Sequence, residues 1–198
     1  MLRGSDERPG QNLNWGFGIL KITTRNLVLV GLFAALTAIG AWIRIPISPV
    51  PFTFQVLFVL LAGVILGPWY GALGQVVYVL LGLAGLPVFA DGTSGLGTLL
   101  GPTGGYIFGF IVGAYLVGML SEVLGEGFLK ALISMIAGIV VIYTLGMIQL
   151  SVVAKLSLGK AFLGGVLPFI GFDLVKALIA AAVAQRLRAV GIPARAME

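Results

Sequence analysis

Apolar residues run in blocks along this chain. Six stretches are almost free of charge: Asn26 to Ile43, Phe52 to Leu66, Trp69 to Leu83, Tyr106 to Leu120, Ala131 to Val153 and Pro168 to Leu187. Runs of this kind predict helices that are apolar on every side, which a bilayer accommodates and water does not. The breaks between them have local causes. Arg44, followed by Pro46, Pro49 and Pro51, ends the first run, because proline lacks the amide proton a helix needs and restrains the residue before it. Gly67-Pro68 divides the second run from the third. As helices these two are only about 22 Å long, short of the ~30 Å hydrocarbon layer. Loops are therefore expected to fold back into the protein at one end. The stretch from Ala84 to Gly105 is rich in glycine, too long for a turn and too apolar for a solvated linker. A connection of that length is expected to be ordered and functional. Glu122, Glu126 and Lys130 mark a surface loop, and Lys155 and Lys160 end the fifth run. Pro168 suits the first turn of the sixth helix.

Composition makes the membrane reading firm. Of 198 residues, 59% are hydrophobic and 10% are charged, against about 25% charged in a typical soluble domain. Mean hydropathy is +1.11. An ordinary soluble enzyme and an intrinsically disordered chain are both excluded. The expected fold is an all-α integral membrane protein of six transmembrane helices. It comprises an N-terminal tail over 1–25, a membrane domain over 26–188 with outward loops at about 44–55 and 84–105, and a C-terminal tail over 189–198. The N-terminal tail has no signal-peptide pattern. Arg3, Arg8, Lys21, Arg25, Lys130, Arg186, Arg188 and Arg195 gather on the side of the termini, against Arg44, Lys155 and Lys160 on the other. By the positive-inside rule both termini are cytoplasmic. The basic residues flank apolar runs and form no soluble basic face, so nucleic acid is not an expected partner.

The chain has no cysteine and no histidine, which removes disulfides, thiolate nucleophiles, zinc–cysteine sites and histidine triads. Gly159-Lys160-Ala161 lacks the hydroxyl and the upstream loop of a phosphate-binding loop, and Gly92-Thr93-Ser94-Gly95-Leu96 lacks the last glycine of a nucleophile elbow. No carboxylate cluster suits a metal. No enzymatic activity, metal or cofactor is expected.

Asp173 and Lys176 are the ionisable residues that lie well inside a span. A charge at that depth costs ~2.5 kcal/mol or more, so it faces the protein interior or a wet cavity. Their spacing of three puts both on one helix face. They suit either a self-neutralising salt bridge or a polar ligand carrying N–H donors and a carbonyl. Arg44 and Asp91 lie in the outward loops, placed for headgroups or for a ligand, and a guanidinium can hold a carboxylate through two hydrogen bonds. Gln55, Gln75 and Gln149 are expected to bond between helices. Tyr78, Tyr106 and Tyr143 suit a pocket lining or interfacial anchoring. Ala34 and Ala38 form a small-x-x-x-small pair on the first span, which allows close approach of another helix.

Three loop motifs then become recognisable in order: Pro49-Val50-Pro51-Phe52-Thr53-Phe54-Gln55, Leu80-Leu81-Gly82-Leu83-Ala84-Gly85-Leu86-Pro87-Val88-Phe89 and Gly101-Pro102-Thr103-Gly104-Gly105-Tyr106. From about Thr24 to Leu187 the chain resembles the BioY family, the biotin-binding S components of energy-coupling factor (ECF) transporters. The resemblance implies a six-helix protein of the prokaryotic cytoplasmic membrane that captures biotin, without an ATPase of its own. Its implied partners are a transmembrane scaffold subunit and two cytoplasmic ATPases. It further implies that Asp173 and Lys176 contact the biotin ring system and that Ala34 and Ala38 dock the scaffold. A polar residue after Pro-Val-Phe reaches the ligand in that family, and Asp91 is the nearest match. Phe52, Val88, Phe89 and Tyr106 are placed to enclose the thioether ring. The rival reading is a self-sufficient carrier of biotin or another small vitamin.

Overall fold

The computed structural model describes residues 23–46 and 49–189; the N-terminal tail before Thr23 and the C-terminal tail after Ala189 lie outside them. Helix α1 (Thr24–Trp42) starts where the Thr23 side chain accepts the amide proton of Asn26, a satisfied N-cap. The described chain continues with the extended segments β1 (Arg44–Ile45) and β2 (Phe52–Thr53). The strands pair antiparallel, Arg44 opposite Thr53 and Ile45 opposite Phe52. This small sheet departs from the all-helical expectation. Pro46 holds Ile45, the residue before it, in extended backbone.

Helix α2 (Gln55–Leu83) holds the second and third apolar runs, and it is folded in half. Gly67 has φ 76° and ψ −176°, and Pro68 follows it. A residue with a Cβ would be strained there. The Gln55 side chain donates to the Tyr78 hydroxyl at 2.6 Å, whereas in a straight helix residues so far apart in sequence would be about 34 Å apart. The two arms therefore lie side by side, about 18 and 24 Å long, and both short runs return to the same end of the bundle.

Helices α3 (Leu96–Leu100), α4 (Gly104–Leu124), α5 (Phe128–Val153), α6 (Leu158–Gly165) and α7 (Ile170–Ala189) complete the chain. The arms of α2 pack against α1, α4 and α7, and α5 lies against α4, α6 and α7. Gly118 of α4 sits on the Gly67–Pro68 turn, so close that a Cβ would overlap the Pro68 backbone. Gly118→Val is expected to lower the thermal midpoint in detergent through overpacking of about 1–3 kcal/mol; an unchanged midpoint would show that this approach is not required.

Among the described residues five segments are long and apolar enough to cross a membrane: Thr24–Trp42, the folded Gln55–Leu83, Gly104–Leu124, Phe128–Val153 and Leu158–Leu187. The last comprises α6, a 3-10 turn at Leu167–Phe169 and α7. Large apolar side chains such as Leu32, Val112, Val140 and Ile179 face outward, while Thr37, Gln55, Gln75, Asp173 and Lys176 are buried. That polarity suits lipid outside and hydrogen bonds inside. The protein is a multi-pass membrane protein.

Candidate ligand-binding site

The glycine-rich stretch from Ala84 to Gly105 is held down at several points. The Trp42 indole donates to the Pro87 carbonyl at 3.2 Å, and Gln149 of α5 donates to the Leu99 and Gly101 carbonyls at 2.7 and 2.8 Å. Phe89 is fully buried, its ring edge-on to Tyr78 at 5.6 Å between centroids. This loop, the β1–β2 hairpin, α6 and the start of α7 meet at one end of the bundle: Gly164 of α6 lies against Pro49, and the Tyr106 hydroxyl donates to the Gly165 carbonyl at 2.7 Å.

Asp173 lies in the first turn of α7 and Lys176 one turn further on. They are 3% and 4% exposed. The Lys176 ammonium donates to Asp173 Oδ1 at 2.6 Å and to the backbone carbonyl of Thr53 at 2.5 Å. The Tyr143 hydroxyl, from α5, donates to Asp173 Oδ2 at 2.6 Å. The Phe52 ring lies 3.9 Å from the Lys176 nitrogen and meets Phe172 edge-on at 5.0 Å. A cation held against an aromatic face and two oxygens is stabilised without bulk water.

Beside this cluster is a cavity. Its walls come from Val50, Pro51, Phe52, Thr53, Gln55 and Val56; from Ala90, Thr98 and Thr103; from Tyr106, Ile107 and Phe110; from Ile142 and Tyr143; and from Phe169, Asp173 and Lys176. Most of this lining is apolar. Two of the three ammonium protons are taken by described protein acceptors, which leaves one for a ligand oxygen. Each oxygen of the Asp173 carboxylate accepts one protein donor among the described residues, which leaves lone pairs for ligand N–H groups.

Of the residues expected to bind a ligand, Phe52, Tyr106, Tyr143, Asp173 and Lys176 line the cavity. Val88, Phe89, Arg44 and Asp91 are not among its lining residues. Val88 is half-buried and offers its carbonyl to Tyr78, and Phe89 fills the space beside Gly82. Arg44 and Asp91 pair with each other across the two loops. From that loop it is Ala90, the neighbour of Asp91, that reaches the cavity wall. Ala34 is 1% exposed and turned into the bundle, and Ala38 is half-buried. The sequence reading did not single out the Thr53 carbonyl, Thr98, Thr103, Phe110 or Phe169. Thr53 follows Phe52 in a recognised motif, but a backbone carbonyl leaves no side-chain signature. Gln55, Gln75 and Gln149 bond between segments as expected, Gln75 to Thr37 of α1 at 3.3 Å, and Gln55 also borders the cavity.

The model of the BioY family matches residues 12–192. The biotin transporter BioY of Thermotoga maritima is 49% identical over 164 residues, spanning 83% of this chain and 96% of its own. The probable biotin transporter BioY of Pyrococcus horikoshii is 45% identical over the same shares. Among solved structures, the S component for biotin from an ECF-type ABC transporter superposes with a TM-score of 0.79 at 29% identity, covering 85% of this chain and 95% of that one. The family match, the sequence identities and the fold agree, and the chain belongs to the BioY family.

Proposed function

We propose that this chain captures biotin on the outer side of a prokaryotic cytoplasmic membrane, as the substrate-binding subunit of an ECF-type importer. The observation that carries the reading is the buried Asp173–Lys176 pair with unused hydrogen-bonding capacity beside an apolar cavity. The ureido group of biotin has two N–H donors and one strong acceptor. Asp173 accepts from the donors, Lys176 donates to the oxygen, and Tyr143 fixes the carboxylate. Phe52, Tyr106, Phe110 and Ile142 enclose the apolar thioether ring. A structural salt bridge alone would gain nothing from a space beside it, since packed apolar side chains would stabilise that position as well. The relatives are biotin transporters by name, which supports the same ligand.

With α2 counted as two crossings, six crossings put both termini on one side, and the eight-to-three distribution of basic residues makes that side cytoplasmic. The loop-bearing end with the cavity then faces outward. Among the described residues no group of His, Cys, Asp or Glu suits a metal, and the chain carries no phosphate-binding loop. Energy for uphill transport would come from separate subunits, a transmembrane scaffold and two ATPases. Docking through the Ala34/Ala38 stripe of α1 belongs to this proposal, with Ala38 offering the accessible part. Ala38→Trp is expected to leave biotin binding within about two-fold and to abolish uptake in cells, since a bulky ring prevents close helix approach; normal uptake by this variant would remove the stripe from the interface.

The direct test of ligand identity is to purify the protein from biotin-containing medium and analyse it by mass spectrometry. Stoichiometric biotin is the expected result. Protein that arrives without biotin and takes none up on titration would contradict the reading.

A further inference from the structure

From the cavity wall inward, a line of hydrogen-bonded residues joins the charge pair to the far loop. Thr53 is the junction. Its carbonyl accepts from Lys176 at 2.5 Å, and its hydroxyl donates to Gln55 Oε1 at 3.0 Å. Gln55 Nε2 donates to the Tyr78 hydroxyl at 2.6 Å, and Tyr78 donates to the Val88 carbonyl at 3.1 Å. Every one of these directions follows from one end. The Val88 carbonyl can only accept, so the Tyr78 proton points to it and the phenol oxygen must accept from Gln55. The amide nitrogen of Gln55 then faces Tyr78 and its oxygen faces Thr53, which obliges the Thr53 hydroxyl to donate. Gln55 is 4% exposed and Tyr78 is fully buried, with no bulk water to replace a lost partner.

The two ends of this line are the two sides of the ligand cavity. At one end it orients the Thr53 peptide that holds Lys176. At the other it fixes Val88, next to the buried Phe89 and two residues before Ala90 in the cavity wall. We propose that Tyr78 and Gln55 are positioning residues for biotin: anchored at the Val88 carbonyl, they set through Thr53 the place of the Lys176 ammonium. The proposal rests on the biotin reading above. It goes beyond stapling of the two arms of α2, because a staple alone would not make the effect of Tyr78 depend on Lys176.

Tyr78 is not a cavity-lining residue, so its hydroxyl can be removed without touching a ligand. The test is a double-mutant cycle of Tyr78→Phe and Lys176→Met, with biotin titrated calorimetrically into the full chain in detergent and thermal midpoints recorded alongside. In the otherwise unaltered protein Tyr78→Phe is expected to weaken biotin about five- to thirty-fold, the effect of stranding buried hydrogen-bonding groups. In the Lys176→Met background the same change is expected to cost less than about two-fold, while the midpoint falls in both. Thr53→Val, which removes the junction hydroxyl and retains the carbonyl, is expected to repeat the pattern and serves if Tyr78→Phe does not fold. Equal losses in both backgrounds, or no loss in the first, would overturn the positioning role. An unaltered chain that binds no biotin would instead overturn the ligand reading, and this one with it.

Discussion

Lys176→Met is expected to weaken biotin binding about 30- to 150-fold. Three interactions go with the ammonium: the proton left for the ureido oxygen, the bond to the Thr53 carbonyl and the contact with Asp173. A charged hydrogen bond contributes ~1.5–3 kcal/mol, and ~2–3 kcal/mol corresponds to that range of affinity. Methionine keeps the length and apolar stem of lysine, so the loss reflects charge and hydrogen bonding rather than a void. The variant also leaves the Asp173 carboxylate buried with Tyr143 as its remaining described donor. A fall in thermal midpoint is therefore expected beside the loss of binding, since removal of one member of a buried pair costs ~3–5 kcal/mol. Isothermal calorimetry in detergent with a thermal melt measures both. Unchanged affinity would remove Lys176 from the site.

Asp173→Asn is the second large effect, and its sign follows from the donor inventory. Asparagine has nearly the shape of aspartate but replaces one acceptor oxygen with an N–H donor. Turned toward the Lys176 ammonium or a ureido N–H, that donor faces another donor; turned toward Tyr143, it obliges the hydroxyl to accept and to give its proton elsewhere. Affinity is expected to fall about ten- to a hundred-fold. The double variant Asp173→Asn/Lys176→Met carries no buried charge, so its thermal midpoint is expected above that of Lys176→Met alone, while its binding stays weak. Recovery of binding in the double variant would mean that the pair serves stability and not ligand recognition.

The sequence made some of this legible for physical reasons. Asp173 and Lys176 stood out because charges inside an apolar run such as Pro168 to Leu187 need a partner or a cavity. Gly67-Pro68 stood out as a break, and two runs too short to cross alone become two arms of a folded helix. Other features left no local trace. Arg44 and Asp91 are far apart in the sequence, and nothing in either loop shows that they meet each other rather than a ligand. The β1–β2 pairing hides among prolines, which favour extended backbone without showing which segments pair. Helices α3 and α6 are five and eight residues long and carry glycine, so neither composition nor length marks them. Helix α1 is apolar nearly all round, and such a helix has no periodic face from which to tell that Ala34 turns inward while Gly31 and Ala35 turn outward. The Thr53 carbonyl belongs to the backbone and is identified by geometry alone.

The central claim is that a buried carboxylate and ammonium grip a cyclic urea, and the most direct test alters the ligand rather than the protein. The unaltered chain is titrated with biotin and with biotin methylated on one ureido nitrogen, under identical conditions. The account predicts saturable one-to-one binding of biotin and a loss of about ten-fold or more for the methylated compound, because an N–H that Asp173 accepts is gone and a methyl group takes its place. Equal affinity for the two compounds would contradict it.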